Sequence, residues 1–67
     1  MLEWLKEART EKGFTQQYVS GASGITGAAY SMIESGVRRP SVEVAKKIAK
    51  TLGFDWQLFF PNEPDTA

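Results

Sequence analysis

A chain of 67 residues with 42% hydrophobic content, eight basic and eight acidic side chains, and neither cysteine nor histidine can hold one small core and has no room for a second catalytic domain. The missing cysteine and histidine remove a disulfide framework, the common zinc geometries and the usual general base. No apolar run approaches the roughly 18 residues of a membrane span, and the N-terminus lacks the basic-then-apolar order of a signal peptide, so an intracellular protein without a membrane partner is expected.

In chain order, "LEWLKEARTEKG" places Leu2, Leu5 and Ala8 at helical spacing, with Glu3, Glu7 and Glu11 interleaved with Lys6 and Lys12, and stops at Gly13. After apolar Phe14, Thr15 is a good N-cap for a short second helix, "QQYVSGA", that cannot run far past Gly24. Thr26 caps a third, whose apolar stripe of Tyr30 and Ile33, with Ala29 beside it, ends at Gly36. Ser41 opens the clearest amphipathic pattern, Val44, Ala45, Ile48, Ala49 and Leu52, closed by Gly53. Asp55 suits the start of a last turn, "WQLFF", which Pro61 would end, and the acidic tail 61–67 offers nothing apolar to bury. Nothing alternates with period two. The expected fold is therefore all-α, with helices too short to be stable alone and held by packing on one another.

Formal charge is zero, but its distribution is uneven. Residues 36–53 carry Arg38, Arg39, Lys46, Lys47 and Lys50 against Glu43 alone, whereas residues 1–35 hold three basic and four acidic side chains. From charge alone such a cluster reads first as a solvated helix face and loop. The glycines at 21, 24 and 27 raise the question of a phosphate cradle. Such a loop needs a preceding strand and either a Gly-Lys-Ser/Thr ending or a G-x-G-x-x-G order; here a helix precedes and the spacing is G-x-x-G-x-x-G. Two short helices meeting through a glycine-containing turn fit better.

"TQQYVSGASGIT", then "YSMIESG", then "RRPSVEVAKKIAKTLG" resemble the Cro/cI-type, or xenobiotic-response-element, helix-turn-helix family of bacterial and phage regulators. The resemblance covers roughly residues 2–60, taken as one domain over 1–60. It implies a compact five-helix, lambda-repressor-like bundle with the helix-turn-helix at about 16–35. The third helix would enter the major groove of double-stranded DNA, usually as a homodimer on a two-fold symmetric operator. A cytoplasmic, nucleoid-associated repressor without cofactor or metal is the corresponding expectation.

Carried over by position, Gln16 matches the glutamine that contacts phosphate and supports a base contact in similar repressors, with Gln17 beside it. Thr15 and Thr26 cap helices and set N–H groups where a phosphate would sit. Arg38 and Arg39 match a loop that runs along the sugar-phosphate backbone, a positioning role as against plain solvation. Arg9 and Glu34 match a partly buried ion pair, which is structural. Tyr18 falls where a charged residue is usual and is either a hydroxyl donor to phosphate or an ordinary surface tyrosine.

The departure from the family lies at the third helix's start. Long polar base readers are usual there; this chain has Gly27, Ala28 and Ala29. By helical spacing Gly27, Ala28, Ser31 and Met32 share the face opposite Tyr30 and Ile33. Three explanations stay open: apolar contact with thymine methyls, with Thr26 and Ser31 adding single hydrogen bonds and DNA shape supplementing them; a weakened operator preference; or a protein partner on that surface. The last two belong to an alternative reading, an antitoxin-like or adaptor module. Trp56, Phe59 and Phe60 crowd the last turn, with Trp4 beside core Leu5. Most of these rings are expected in the core, but their area exceeds what one short turn hides. Since similar repressors dimerise there, Trp56, Phe59 and Phe60 are the expected dimer contact, as against a closed monomer core. No carboxylate pair is placed for catalysis, since Glu3, Glu7 and Glu11 alternate with lysines and Glu43 suits a helix start; an enzyme is not expected.

Overall fold

The computed structural model describes residues 1–60; the expected Pro61 stop and the acidic tail fall on 61–67 and lie outside the described residues. Among the described residues the chain forms four α-helices, α1 (Glu3–Glu11), α2 (Gln16–Ala22), α3 (Gly27–Ser35) and α4 (Val42–Leu52), then one 3₁₀ turn, Trp56–Phe59, and no strand. The fifth element is thus not an α-helix, which corrects the five-helix expectation. Gly53 has already turned the chain out of α4 at φ 80°, and the turn that follows is four residues long, too few to offset the cost of nucleating α-helical hydrogen bonds.

Local chemistry explains the other boundaries. The hydroxyls of Thr15, Thr26 and Ser41 accept from the backbone N–H three residues on, at Tyr18 (3.0 Å), Ala29 (3.0 Å) and Val44 (3.2 Å), each satisfying a donor that the first helical turn leaves orphaned. The Asp55 carboxylate does the same for Gln57 N–H at 3.0 Å. The start of α1 has no side-chain cap; its Leu2 N–H instead donates to the Glu34 carbonyl at 2.8 Å, which fastens the start of α1 to the end of α3. Gly24 and Gly36 close α2 and α3 at φ 72° and 86°, the left-handed region in which a Cβ is strained.

The core is Leu5, Val19, Tyr30, Ile33, Ala45, Ile48, Leu52 and Phe59, one contiguous cluster drawn from all four helices and the last turn. α2 packs on α3 and α4, α1 on α3, and α4 on the 3₁₀ turn. Trp4 of α1 meets Phe54 and Phe59 in edge-on contacts, both at 5.2 Å between ring centroids, a geometry aromatic rings favour. Phe59 is therefore core at 7% exposure, which corrects its assignment as a dimer contact: its ring is already covered by its own chain. Trp56 and Phe60 are half-buried and capped by cations, Lys46 Nζ standing 5.2 Å from the Trp56 ring and the Arg39 guanidinium 5.5 Å from Phe60. Leu58 is the exposed apolar residue of that turn, at 51%.

Candidate nucleic-acid interface

A short connection separates α2 from α3. Ser23 and Ile25 N–H both donate to the Ser20 carbonyl, at 3.1 and 3.0 Å, and Gly24 makes the bend between them. Where the helices meet, the side chains are small: Ser20 is buried, and its Oγ stands 3.9 Å from where a Gly27 Cβ would be. Ser20 Oγ is itself satisfied by donating to the Gln17 carbonyl at 2.9 Å.

The C-terminal half of α3 is fastened from below by one carboxylate. Glu34, 2% exposed, accepts from Arg9 Nε at 2.9 Å and Arg9 Nη2 at 3.2 Å, from Gln16 Nε2 at 2.9 Å and from the Tyr30 hydroxyl at 2.9 Å. Arg9 Nη1 donates onward to the Phe14 carbonyl at 2.9 Å. Donors from three helices thus converge on two oxygen atoms, and Arg9 links them to the α1–α2 loop. Burial alone pushes the Glu34 carboxyl up, but the hydrogen bonds from Arg9, Gln16 and Tyr30, joined by the Arg9 charge, bring it below the usual glutamate value. The hydrogen bond to Glu34 holds the Arg9 guanidinium more firmly protonated than usual. Burial, with the neighbouring carboxylate adding to it, raises the Tyr30 hydroxyl far above the ordinary tyrosine range.

The opposite face of α3 makes no such bonds. Gly27, Ala28, Ser31 and Met32 are all exposed, Met32 at 39%, and they form one stripe with capping Thr26 at its head. The α3–α4 loop continues from this stripe: Val37 and Arg38 N–H both donate to the Met32 carbonyl, at 3.0 and 3.1 Å, and Arg38 and Arg39 are exposed. Arg39 leans over Phe60. Of the α2 residues, Gln17 is exposed. The Tyr18 ring rests against Phe14, 4.5 Å between centroids, and is 55% exposed.

The family model described as helix-turn-helix matches residues 5–59. The chain belongs to the Cro/cI-type helix-turn-helix family of transcriptional regulators. It is 58% identical over 62 residues, 92% of this chain and 82% of the relative, to the uncharacterised HTH-type transcriptional regulator YqaF of Bacillus subtilis. It is 33% identical over 63 residues to the HTH-type transcriptional regulator PuuR of Escherichia coli, covering 91% of this chain and 34% of PuuR. A prophage-derived regulator of Bacillus subtilis, YonR, is 37% identical over 51 residues, 76% of this chain and 47% of YonR. The chain therefore spans most of the first relative and less than half of the other two. No solved structure gives a match.

Within this family frame, α2 and α3 are the helix-turn-helix proper, and its members are DNA-binding proteins rather than enzymes. Sequence reasoning assigned Gln16 to phosphate and missed its inward hydrogen bond. A glutamine in a first helical turn and a glutamate 18 residues on carry no local signal of each other; only the expected Arg9–Glu34 pairing marked where a buried acceptor would lie.

Proposed function

We propose that the domain is a sequence-specific regulator of transcription that binds double-stranded DNA with the exposed stripe of α3 in the major groove and represses as a dimer on a two-fold symmetric operator. The observation that supports this most is the division of α3 into a buried, hydrogen-bonded face and an exposed face, Gly27, Ala28, Ser31 and Met32, that no described residue covers. Ala28 and Met32 present methyl groups suited to thymine C5-methyls, and Ser31 and Thr26 supply single hydrogen bonds. With no bidentate reader on the stripe, DNA shape and deformability carry a larger share of the selectivity. Gln17 and Arg38 line the flanks of the stripe and take phosphates, with Thr15 orienting the start of α2. Gln16 acts as a strut that sets α2 against α3 through its bond to Glu34. Arg39 contributes charge to the flank while held over Phe60. Tyr18, leaning on Phe14, is not assigned a phosphate. The dimer contact rests on Leu58 with the edges of Trp56 and Phe60.

Selection from random DNA by the purified chain tests the reading. Enrichment of a two-fold symmetric site, with affinity that falls steeply with salt as phosphate contacts require, is the expected result. Arg38→Ala should weaken every sequence about equally and lower the salt slope by about one. No enrichment, or binding indifferent to salt, would refute it.

A further inference from the structure

On the flank of the domain, α2 and α4 leave between them an open groove of about 600 Å³ that the DNA reading does not use. Phe14 and Tyr18 form one wall, Lys47 and Lys50 the other, and Gly21 and Gly24 the floor. At Gly21 nothing lies within 4 Å of where a Cβ would be, and at Gly24 the nearest atom is Lys47 Nζ at 3.9 Å, so the floor is low and open. Lys47 and Lys50 lie five and eight residues beyond the start of α4, about 7 and 12 Å along its axis, which takes them away from Arg38 and the exposed stripe.

The same chain carries a surface of opposite charge. Glu3, Glu7 and Glu11 are all exposed and follow one another four residues apart along α1, which sets them in a single row. Among the described residues none of them is ion-paired, the one ion pair there being Arg9–Glu34. Glu7 and Glu11 have the spacing of helical neighbours, about 5–6 Å, and so do Lys47 and Lys50.

We propose that the groove receives the acidic row of α1 from a second copy of this chain. Groove and row are different patches, so the contact is heterologous and leaves a pair of copies with an unused row on one and an unused groove on the other. Copies can therefore add one after another. Two exposed ion pairs give a weak contact in free solution, but copies held side by side on one DNA molecule meet at millimolar effective concentration, where such a contact becomes cooperative binding to neighbouring sites.

The test uses the full 67-residue chain without DNA, so its failure leaves the regulatory reading untouched. Amide chemical shifts are followed as the concentration rises to millimolar at low salt. The expected shifts map to Gly21, Gly24 and Lys47 on one side and to Glu7 and Glu11 on the other, and salt abolishes them. K47E/K50E and E7K/E11K, each checked for native helicity, should each weaken this association about tenfold when alone, since like charges then meet. An equimolar mixture of the two should restore it, because each variant's groove matches the other's α1. The proposal is overturned if the mixture stays dissociated, if the shifts gather only at Trp56 and Leu58, or if K47E/K50E abolishes association while E7K/E11K leaves it intact. The last result would assign the groove to a different acidic surface.

Discussion

The last turns of α3 carry Tyr30, Ile33 and Glu34, none more than 2% exposed, and Glu34 alone accepts four hydrogen bonds. The first turn carries Gly27, Ala28 and Ala29, whose only described side-chain bond is the Thr26 cap on Ala29 N–H. One nine-residue helix thus joins a fixed base to an almost bare tip. The contrast separates two properties that are easily run together: how firmly the helix is presented, and what it presents. The base can set position without reading sequence, and the tip can be rewritten without disturbing the base.

The sharpest way to break this division is to remove the base. Glu34→Ala leaves the guanidinium of Arg9, 11% exposed, with no carboxylate, and strands Gln16 and Tyr30 as well. The expected loss is about 3–5 kcal/mol, that of a buried pair deprived of one partner, measured by urea unfolding. A loss below about 1 kcal/mol, the worth of a surface pair, would mean that Glu34 is not what holds α3. Acid should act on the same atoms in the wild type. The folded-state pKa of Glu34 is depressed, so its contribution is complete above the ordinary value of 4.5 and is lost as pH falls below it. Thermal midpoints recorded from pH 7 down to pH 3 should drop in that acid range, and a Glu34→Gln chain, already less stable, should show a shallower drop. At the alkaline end the raised Tyr30 hydroxyl withdraws its stabilisation as pH climbs past its ordinary value of 10.0.

Changes at the tip should be small and of a different kind. Gly27 has ordinary helical backbone and no atom closer than 3.9 Å to a new Cβ, so Gly27→Ala should stabilise the domain by up to about 1 kcal/mol through helix propensity, seen as a raised urea midpoint. Ala28→Gln, on the exposed stripe, should shift stability by no more than about 0.5 kcal/mol yet change the sequence enriched from random DNA. If the selected site is unchanged, the stripe does not face the bases.

What was legible in the sequence follows the range of the interaction. Thr15, Thr26, Ser41 and Asp55 act on N–H groups two or three residues away, and Gly24 and Gly36 on their own backbone, so helix boundaries could be read residue by residue. The 3.6-residue rhythm of Val44, Ala45, Ile48, Ala49 and Leu52 likewise announced the buried face of α4. The fate of the aromatic residues could not be read, because whether Phe59 faces outward depends on Trp4, 55 positions earlier in the sequence. The last turn was legible in its residues, Asp55 opening it as expected; the fifth helix was implied only by the family resemblance. At the site, the bareness of Gly27-Ala28-Ala29 was visible at once, whereas the inward tie of Gln16 depends on a contact that no local pattern encodes.

Trp4 and Trp56 give the molecule two optical probes with different fields of view. Trp4, edge-on to Phe54 and Phe59, spans the seam between the first helix and the final turn, so its emission moves to the red when that seam opens, before or after the rest of the chain gives way. Trp56 sits half-covered under the Lys46 ammonium and answers instead to whatever approaches the outer end of the domain. A single emission spectrum, separated by a Trp56→Phe chain, therefore distinguishes unfolding from self-association without any attached dye.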